Sequence, residues 1–224
     1  MIKAVLFDCD GLMFETELVS QQMWRDAAAV YGETVPQSFF VAITGTHDRL
    51  FDMEQYRKTM PHLDDIMEEM HHIRFDLSFW NSVHTDCLNK PGLLELFPWL
   101  KQNGYKTAIC SSSFREYVET LTRNVSVPLE YDAIVTGDMV SHSKPDPEIF
   151  LKGASLLGAE PEECLVLEDS KMGILAARNA GMHSCFIKDT IEPDCEMLAA
   201  IEYSKENLSE VIDLLEEINH KESD

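Results

Sequence analysis

Short apolar runs recur along the chain at Ala4–Phe7, Thr107–Cys110, Ala133–Val135, Cys164–Leu167 and Ser184–Ile187. Each is nearly continuous rather than alternating, the pattern of strands covered on both faces in a parallel sheet. Stretches of helical period lie between them. Leu93, Leu94, Leu96, Phe97 and Leu100 lead to Gly104, a helix stop. Pro147 fits the first turn of a helix carrying Ile149, Phe150, Ala154 and Leu157 and ending near Gly158. Ser170 fits the cap of another, through Ile174, Ala177 and Ala180 to Gly181. Strand and helix alternate from Lys90 onward, which predicts an α/β fold with a doubly wound, mostly parallel, Rossmann-like sheet.

The stretch from Glu15 to Asn89 reads differently, with helical periodicity and few strand signals. Val19, Met23, Ala27 and Val30 make one stripe; Ile66, Met70, Ile73, Leu77 and Trp80 make another. Met60, Met67 and Met70 suit the core of a helical bundle, where an unbranched side chain fills gaps. The expected organisation is an α/β core of residues 1–14 and 90–224 and a helical insertion of residues 15–89, with Lys90-Pro91-Gly92 as the return hinge.

The polar residues fall where such a sheet concentrates chemistry. Asp8 and Asp10 follow the first run, and Ser111, Ser112 and Ser113 follow the second. Lys144 lies in the loop after the third, and Glu168 and Asp169 end the fourth. In an open parallel sheet these loops share one edge, and ligands bind in the crevice there. Four carboxylates and one lysine would meet in that crevice. Two carboxylates 4 Å apart repel by roughly 4 kcal/mol at an effective dielectric of 20, so one lysine is not enough. Carboxylate oxygens with water suit Mg²⁺, which commonly binds through one or two carboxylates and a substrate phosphate. A metal that also holds phosphate points to phosphoryl transfer, where catalysis is mainly positioning and charge stabilisation.

The overall charge narrows the partners. With 40 Asp+Glu against 18 Lys+Arg, the net charge of -22 repels nucleic acid and anionic lipid, so neither is expected as a partner. The same field repels a small phosphorylated metabolite, so its site must gather positive charge locally. No cationic leader precedes the first apolar run, and nothing approaches the roughly 20 apolar residues of a membrane span. The 6 cysteines form no CxxC pair, and Cys9, Cys110, Cys164 and Cys185 lie in or beside strands, as reduced thiols do. A reduced, cytoplasmic monomer is the expectation.

Together these segments resemble a known family. Phe7-Asp8-Cys9-Asp10-Gly11 resembles the first, DxD, motif of the haloacid dehalogenase-like superfamily, and Ile109-Cys110-Ser111-Ser112-Ser113 resembles the second. Ser143-Lys144-Pro145-Asp146-Pro147 with Ile149-Phe150 resembles the third, and Glu168-Asp169-Ser170 with Gly173 the fourth. All occur in order. The insertion is similar to the helical cap of the subgroup that holds β-phosphoglucomutases and phosphoglycolate phosphatases.

The resemblance implies roles by position. Asp8 is the nucleophile that forms an aspartyl-phosphate. Asp10 protonates the leaving oxygen and then deprotonates water; Ser111 holds a phosphoryl oxygen, and Lys144 steadies the nucleophile and the transferring group. Mg²⁺ takes the Asp8 carboxylate, the Asp10 backbone carbonyl and Asp169, with Glu168 close by. Gly11 turns the chain past the phosphate, where Leu12 offers a backbone N–H and Ser112 a further contact. Glu15 and Thr16 open the insertion, and Thr46, His47 and Arg49 lie in a stretch similar to the cap loop of relatives.

Dehalogenases of the superfamily lack an aspartate at position 10, since halide leaves unprotonated, whereas an alkoxide needs an acid. Hydrolysis of a small phosphate monoester, a sugar phosphate or similar, is therefore the expected reaction. The alternative is a sugar-phosphate mutase, against which Ser20 stands where that relative has histidine and Arg49 is displaced from the expected spacing. A non-catalytic binding protein on this scaffold would have no need of both Asp8 and Asp10. Ser113 reads more simply as a helix cap. His62, His71 and His72 read as solvated or satisfied, and His142 as a surface loop residue.

Overall fold

The structure, a computed structural model, describes residues 1–43, 53–74, 80, 88–189 and 192–221. The chain divides into two compact units, Met1–Glu15 with His84–Asp224, and Thr16–Val83. The second holds helices α1 (Thr16–Val30), α2 (Gln37–Ile43), α3 (Glu54–Arg57) and α4 (Leu63–Arg74). Trp24, Phe39 and Tyr56 meet edge to face at its centre, Trp24–Phe39 at 4.8 Å and Phe39–Tyr56 at 5.1 Å. Met60 and Met70 are buried in this unit together with Ile66, whereas Met67 is only half-buried and so does not join the core that the methionine pattern predicts. The α1 stripe is corrected at one end. Val30 is 76% exposed, and the buried face runs through Met23, Trp24, Ala27 and Ala28. Leu77 lies outside the described residues.

The first unit carries strands β1 (Ala4–Phe7), β2 (Lys106–Ser111), β3 (Ala133–Thr136), β4 (Cys164–Glu168), β5 (His183–Ile187) and β6 (Tyr203–Lys205). They form one sheet in the order β3-β2-β1-β4-β5-β6, and every neighbouring pair is parallel. The sheet is the doubly wound α/β fold that the apolar runs predict. Only β6 has no run to announce it, because this edge strand is short and half-exposed. The helices are α5 (Leu93–Gln102), α6 (Arg115–Arg123), α7 (Glu148–Leu157), α8 (Lys171–Asn179), α9 (Cys195–Leu198) and α10 (Glu210–Lys221). The acidic C-terminal stretch is thus a helix, since Val211, Leu214 and Leu215 in it are buried.

Alternation along each strand sorts the core. Leu6, Cys110 and Val166 point to one face, against Ile149 and Phe150 of α7 and Ala176 and Ala177 of α8. Phe7 points to the other and stacks on Phe97 of α5 at 4.6 Å. Each fully buried side chain of this size contributes about 1.5–3 kcal/mol. The helix ends follow local chemistry. Gly158 closes α7 in the left-handed region, and the Ser170 side chain caps α8 by accepting from the Gly173 amide. Pro147 precedes α7 as its N-cap rather than lying in its first turn. Strand order reverses at β1, so the crevice of the sheet opens at the C-terminal ends of β1 and its neighbours.

Candidate active site

Sheet register brings the first charged residues level. Phe7 pairs with Leu167 on β4, so the next residues on the two strands, Asp8 and Glu168, lie side by side. By alternation both continue the face of Leu6 and Val166, toward α7. Lys144 rises between them, and its Nζ donates to Asp8 Oδ1 and, at 2.6 Å, to Glu168 Oε1. The ammonium also lies 4.9 Å over the ring of Phe150 on α7. The other oxygen of Glu168 accepts from the Asp169 amide at 3.1 Å, the Ser170 amide at 3.0 Å and the Ser170 hydroxyl at 2.9 Å. Glu168 thus ties Lys144 to the start of α8.

The surroundings hold this cluster in place. The loop before α7 is built on Glu148, which accepts from the amides of Ser141 and His142, and on Asn179, which donates to the Pro145 carbonyl at 3.0 Å. Two glycines leave room that the carboxylates fill. A Cβ at Gly173 would lie 1.7 Å from Glu168 Oε1, and one at Gly11 would lie 2.2 Å from Asp169 Oδ2. Gly11 also has a φ of 81°, a region that side-chain-bearing residues rarely adopt. Its tight turn therefore serves Asp169, a reason for glycine that the sequence alone does not show.

Asp10 is held differently. The Ser113 hydroxyl reaches its Oδ2 at 2.7 Å, the Tyr117 hydroxyl reaches its Oδ1 at 2.9 Å, and the Ser111 hydroxyl lies at the outer limit, 3.5 Å from Oδ2. Ser111 Oγ accepts from the Ser113 amide at 3.1 Å, which fixes the turn between β2 and α6. The N-cap of α6 is Phe114, which makes no side-chain cap bond, so Ser113 is not the helix cap that its sequence setting suggests. Tyr117 is not legible in the sequence; as one aromatic on a helix face it carries no signal until the fold turns its hydroxyl to Asp10.

The electrostatics separate the residues further. Burial is the largest influence on Asp8, and with Glu168 and Asp10 nearby it outweighs Lys144, so the Asp8 carboxyl is pushed up to about 7. Burial works against the charge of Lys144, but Asp8 and Glu168 hold the ammonium well above its usual value. One cation is therefore shared between anions that need more positive charge than it supplies. Asp8, Glu168 and Asp169 are all buried, and an oxygen from each lies within 4.8 Å of the others. A cluster of hard oxygen donors in deficit of positive charge fits a divalent cation such as Mg²⁺.

The profile of the haloacid dehalogenase-like hydrolases matches residues 2–181 of the chain. The chain belongs to that family. It is 28% identical over 222 residues to the phosphorylated carbohydrates phosphatase of Thermotoga maritima, an alignment covering 97% of this chain and 100% of that protein. It is also 28% identical over 212 residues to the validoxylamine A 7'-phosphate phosphatase of Streptomyces hygroscopicus subsp. limoneus, covering 94% and 96% of the two. The crystal structure of β-phosphoglucomutase from Clostridium difficile covers 100% of both chains with a TM-score of 0.75 at 22% identity, a likeness of fold.

In this haloacid dehalogenase-like hydrolase the four motifs therefore meet at one sheet edge. Asp8, Lys144, Glu168 and Asp169 form one cluster, and Asp10 with Ser111 forms its flank. The Asp10 carboxylate is turned to the hydroxyls and is not among the three converging carboxylates. Ser112 is exposed, and Leu12 is fully buried. One oxygen of Glu15 accepts from Lys90 at 2.6 Å, and Lys90 also bonds Asp189, so that side chain is engaged in an ion cluster. Thr16 is buried at the start of α1. Thr46, His47 and Arg49 lie outside the described residues. His62 is satisfied by Glu33 at 2.6 Å, and His142 is an exposed loop residue. No helix among the described residues is long and apolar enough to cross a membrane.

Proposed function

We propose that the chain is a Mg²⁺-dependent phosphatase that hydrolyses small phosphate monoesters, sugar phosphates or similar metabolites, through an aspartyl-phosphate on Asp8. The observation that carries this reading is the buried cluster of Asp8, Glu168 and Asp169, with the ammonium of Lys144 on Asp8 and Glu168 and the carboxylate of Asp10 alongside. The names of the two phosphatase relatives support the substrate class. When bound by Asp8, Asp169 and the Asp10 carbonyl, with Glu168 close by, Mg²⁺ supplies charge neutralisation for the nucleophile and the phosphoryl oxygens.

Each side chain then has a task. An Asp8 oxygen attacks phosphorus as the ester P–O bond breaks, and the Asp10 carboxyl gives its proton to the departing alkoxide. Lys144 holds the Asp8 carboxylate in place and offsets charge on the transferring group. Ser111, its Oγ accepting from the Ser113 amide and its O–H reaching Asp10 only at 3.5 Å, turns that O–H to a phosphoryl oxygen. Asp10, now ionised, takes a proton from the water that attacks phosphorus, which frees phosphate and restores Asp8. Gly11 and Leu12 form the turn beside the phosphate, with Ser112 a further contact. Substrate selection is assigned to the Thr16–Val83 unit and Glu15, with Thr16, Thr46, His47 and Arg49 as candidates.

Purified protein with Mg²⁺ is expected to release inorganic phosphate from p-nitrophenyl phosphate and from members of a sugar-phosphate panel, and to stop on chelation. No release from any ester by folded, Mg²⁺-supplied protein overturns the reading. Conversion of β-glucose 1-phosphate to glucose 6-phosphate in preference to free phosphate, with a trace of bisphosphate present, replaces hydrolysis by mutase chemistry.

A further inference from the structure

Asp10 is gripped by neutral hydroxyls at both carboxylate oxygens, Ser113 at 2.7 Å on Oδ2 and Tyr117 at 2.9 Å on Oδ1. Both hydroxyls donate to it. With one donor at each end, the plane and direction of the carboxylate are fixed; a single donor would leave it free to rotate about its own axis. The two donors come from one short stretch. Ser113 ends the turn after β2, and Tyr117 lies in the α6 helix that follows. That stretch is anchored from the other side, because Ser113 accepts through its carbonyl from the Gly137 amide at 2.9 Å and Asp138 accepts from the Arg115 amide at 3.3 Å.

The ring of Tyr117 is only 2% exposed and would pack as well if it were phenylalanine. Its hydroxyl is what needs a partner in a buried setting, and Asp10 is that partner. The side-chain hydroxyls of Ser113 and Tyr117 bear on catalysis through Asp10.

We infer that Ser113 and Tyr117 are positioning residues that aim the proton-carrying carboxylate of Asp10 at the leaving oxygen. The inference rests on the phosphatase reading above and adds the two residues that orient its acid. Positioning of a general acid matters in proportion to how badly the leaving group needs a proton. An alkoxide from a sugar phosphate needs one, whereas p-nitrophenolate leaves without it. The reporting quantity is kcat/KM, which covers the steps through departure of the leaving group.

The experiment measures kcat/KM on a sugar phosphate and on p-nitrophenyl phosphate for the wild type, Tyr117→Phe, Ser113→Ala and Ser113→Thr, with near-ultraviolet circular dichroism as the check of fold. In Tyr117→Phe and in Ser113→Ala the ratio of the sugar-phosphate to the aryl-phosphate value is expected to fall about tenfold, the loss of one hydrogen bond to a charged group. Ser113→Thr, which keeps the hydroxyl, is expected to restore the ratio. A loss equal on both substrates marks a merely structural role and overturns the inference, as does a ratio that stays at the wild-type value. If Tyr117→Phe does not fold, the two Ser113 variants decide alone. A wild type that cleaves neither ester instead removes the phosphatase reading itself, which keeps the two failures apart.

Discussion

Asp8 and Asp10 leave β1 two residues apart, yet one is set among charges and the other among hydroxyls. Asp8 is 8% exposed and shares the ammonium of Lys144 with Glu168, partners that come from the loop before α7 and from β4. Asp10 is half-buried, and its partners come from the turn between β2 and α6. Because β1 lies between β2 and β4, one loop receives help from both sides of the sheet. The difference suits two tasks. A nucleophile is best held immobile beside cations, and a proton carrier needs access to its proton and hydroxyls that aim it. Two identical side chains thus acquire different chemistry from the elements that flank them.

The sharpest way to break this contrast is to remove each carboxylate in turn. Asp8→Asn is expected to lower kcat/KM by about 10³-fold or more on every ester, since no other group replaces a lost nucleophile. Asp10→Asn is expected to cost about 10²–10⁴-fold on sugar phosphates and far less on p-nitrophenyl phosphate. Equal losses across both substrates in both variants would erase the division of labour.

Lys144→Ala tests the charged side by stability. It leaves Asp8 and Glu168 buried without their common cation, a loss of about 3–5 kcal/mol measured by urea denaturation of metal-free protein. Lys144→Met in place of alanine keeps the packing on Phe150 and is expected to lose nearly as much, because charge rather than volume is at stake.

A pH series sharpens the same point. The Asp8 carboxyl is raised from 3.8 to about 7, so its contribution to stability is full below its unfolded value and is lost as pH rises through about 7. In metal-free protein, the stability of the wild type relative to Asp8→Asn is expected to fall by up to about 4 kcal/mol between about pH 4 and about pH 8. Saturating Mg²⁺ is expected to shrink that fall. A difference that is flat with pH contradicts the cation deficit.

The smallest effect is steric. Gly173→Ala forces Glu168 to move, since a Cβ there would meet Oε1 at 1.7 Å. A destabilisation of about 1–3 kcal/mol is expected, with a fall in Mg²⁺ affinity in thermal-shift titrations.

Most of this arrangement was legible in the sequence because parallel strands buried on both faces announce themselves as continuous apolar runs, and the residues just beyond them must share an edge. Asp8, Ser111, Lys144, Glu168 and Asp169 could be placed in that way. Tyr117 could not, since its hydroxyl matters only through a fold contact 107 residues away in the chain. Ser113 reads as a cap because serine before a helix usually is one, and here Phe114 stands at that position instead. Val30 shows the complementary limit: a helical stripe fixes a face, but its last member frays into solvent once the helix ends. β6 and α10 give no clear signal, because the strand is too short and too polar for periodicity and the helix is masked by its acids.

The central claim, that Asp8 takes the phosphoryl group, is tested most directly by acid-quenching the enzyme in its first turnover with a ³²P-labelled ester and Mg²⁺, reducing with borohydride, and mapping the modified peptide. Phosphate label bound to the chain before reduction and homoserine at position 8 after it are expected, with neither in Asp8→Asn. Label mapped to another residue, or phosphate release by Asp8→Asn at the wild-type rate, would contradict it.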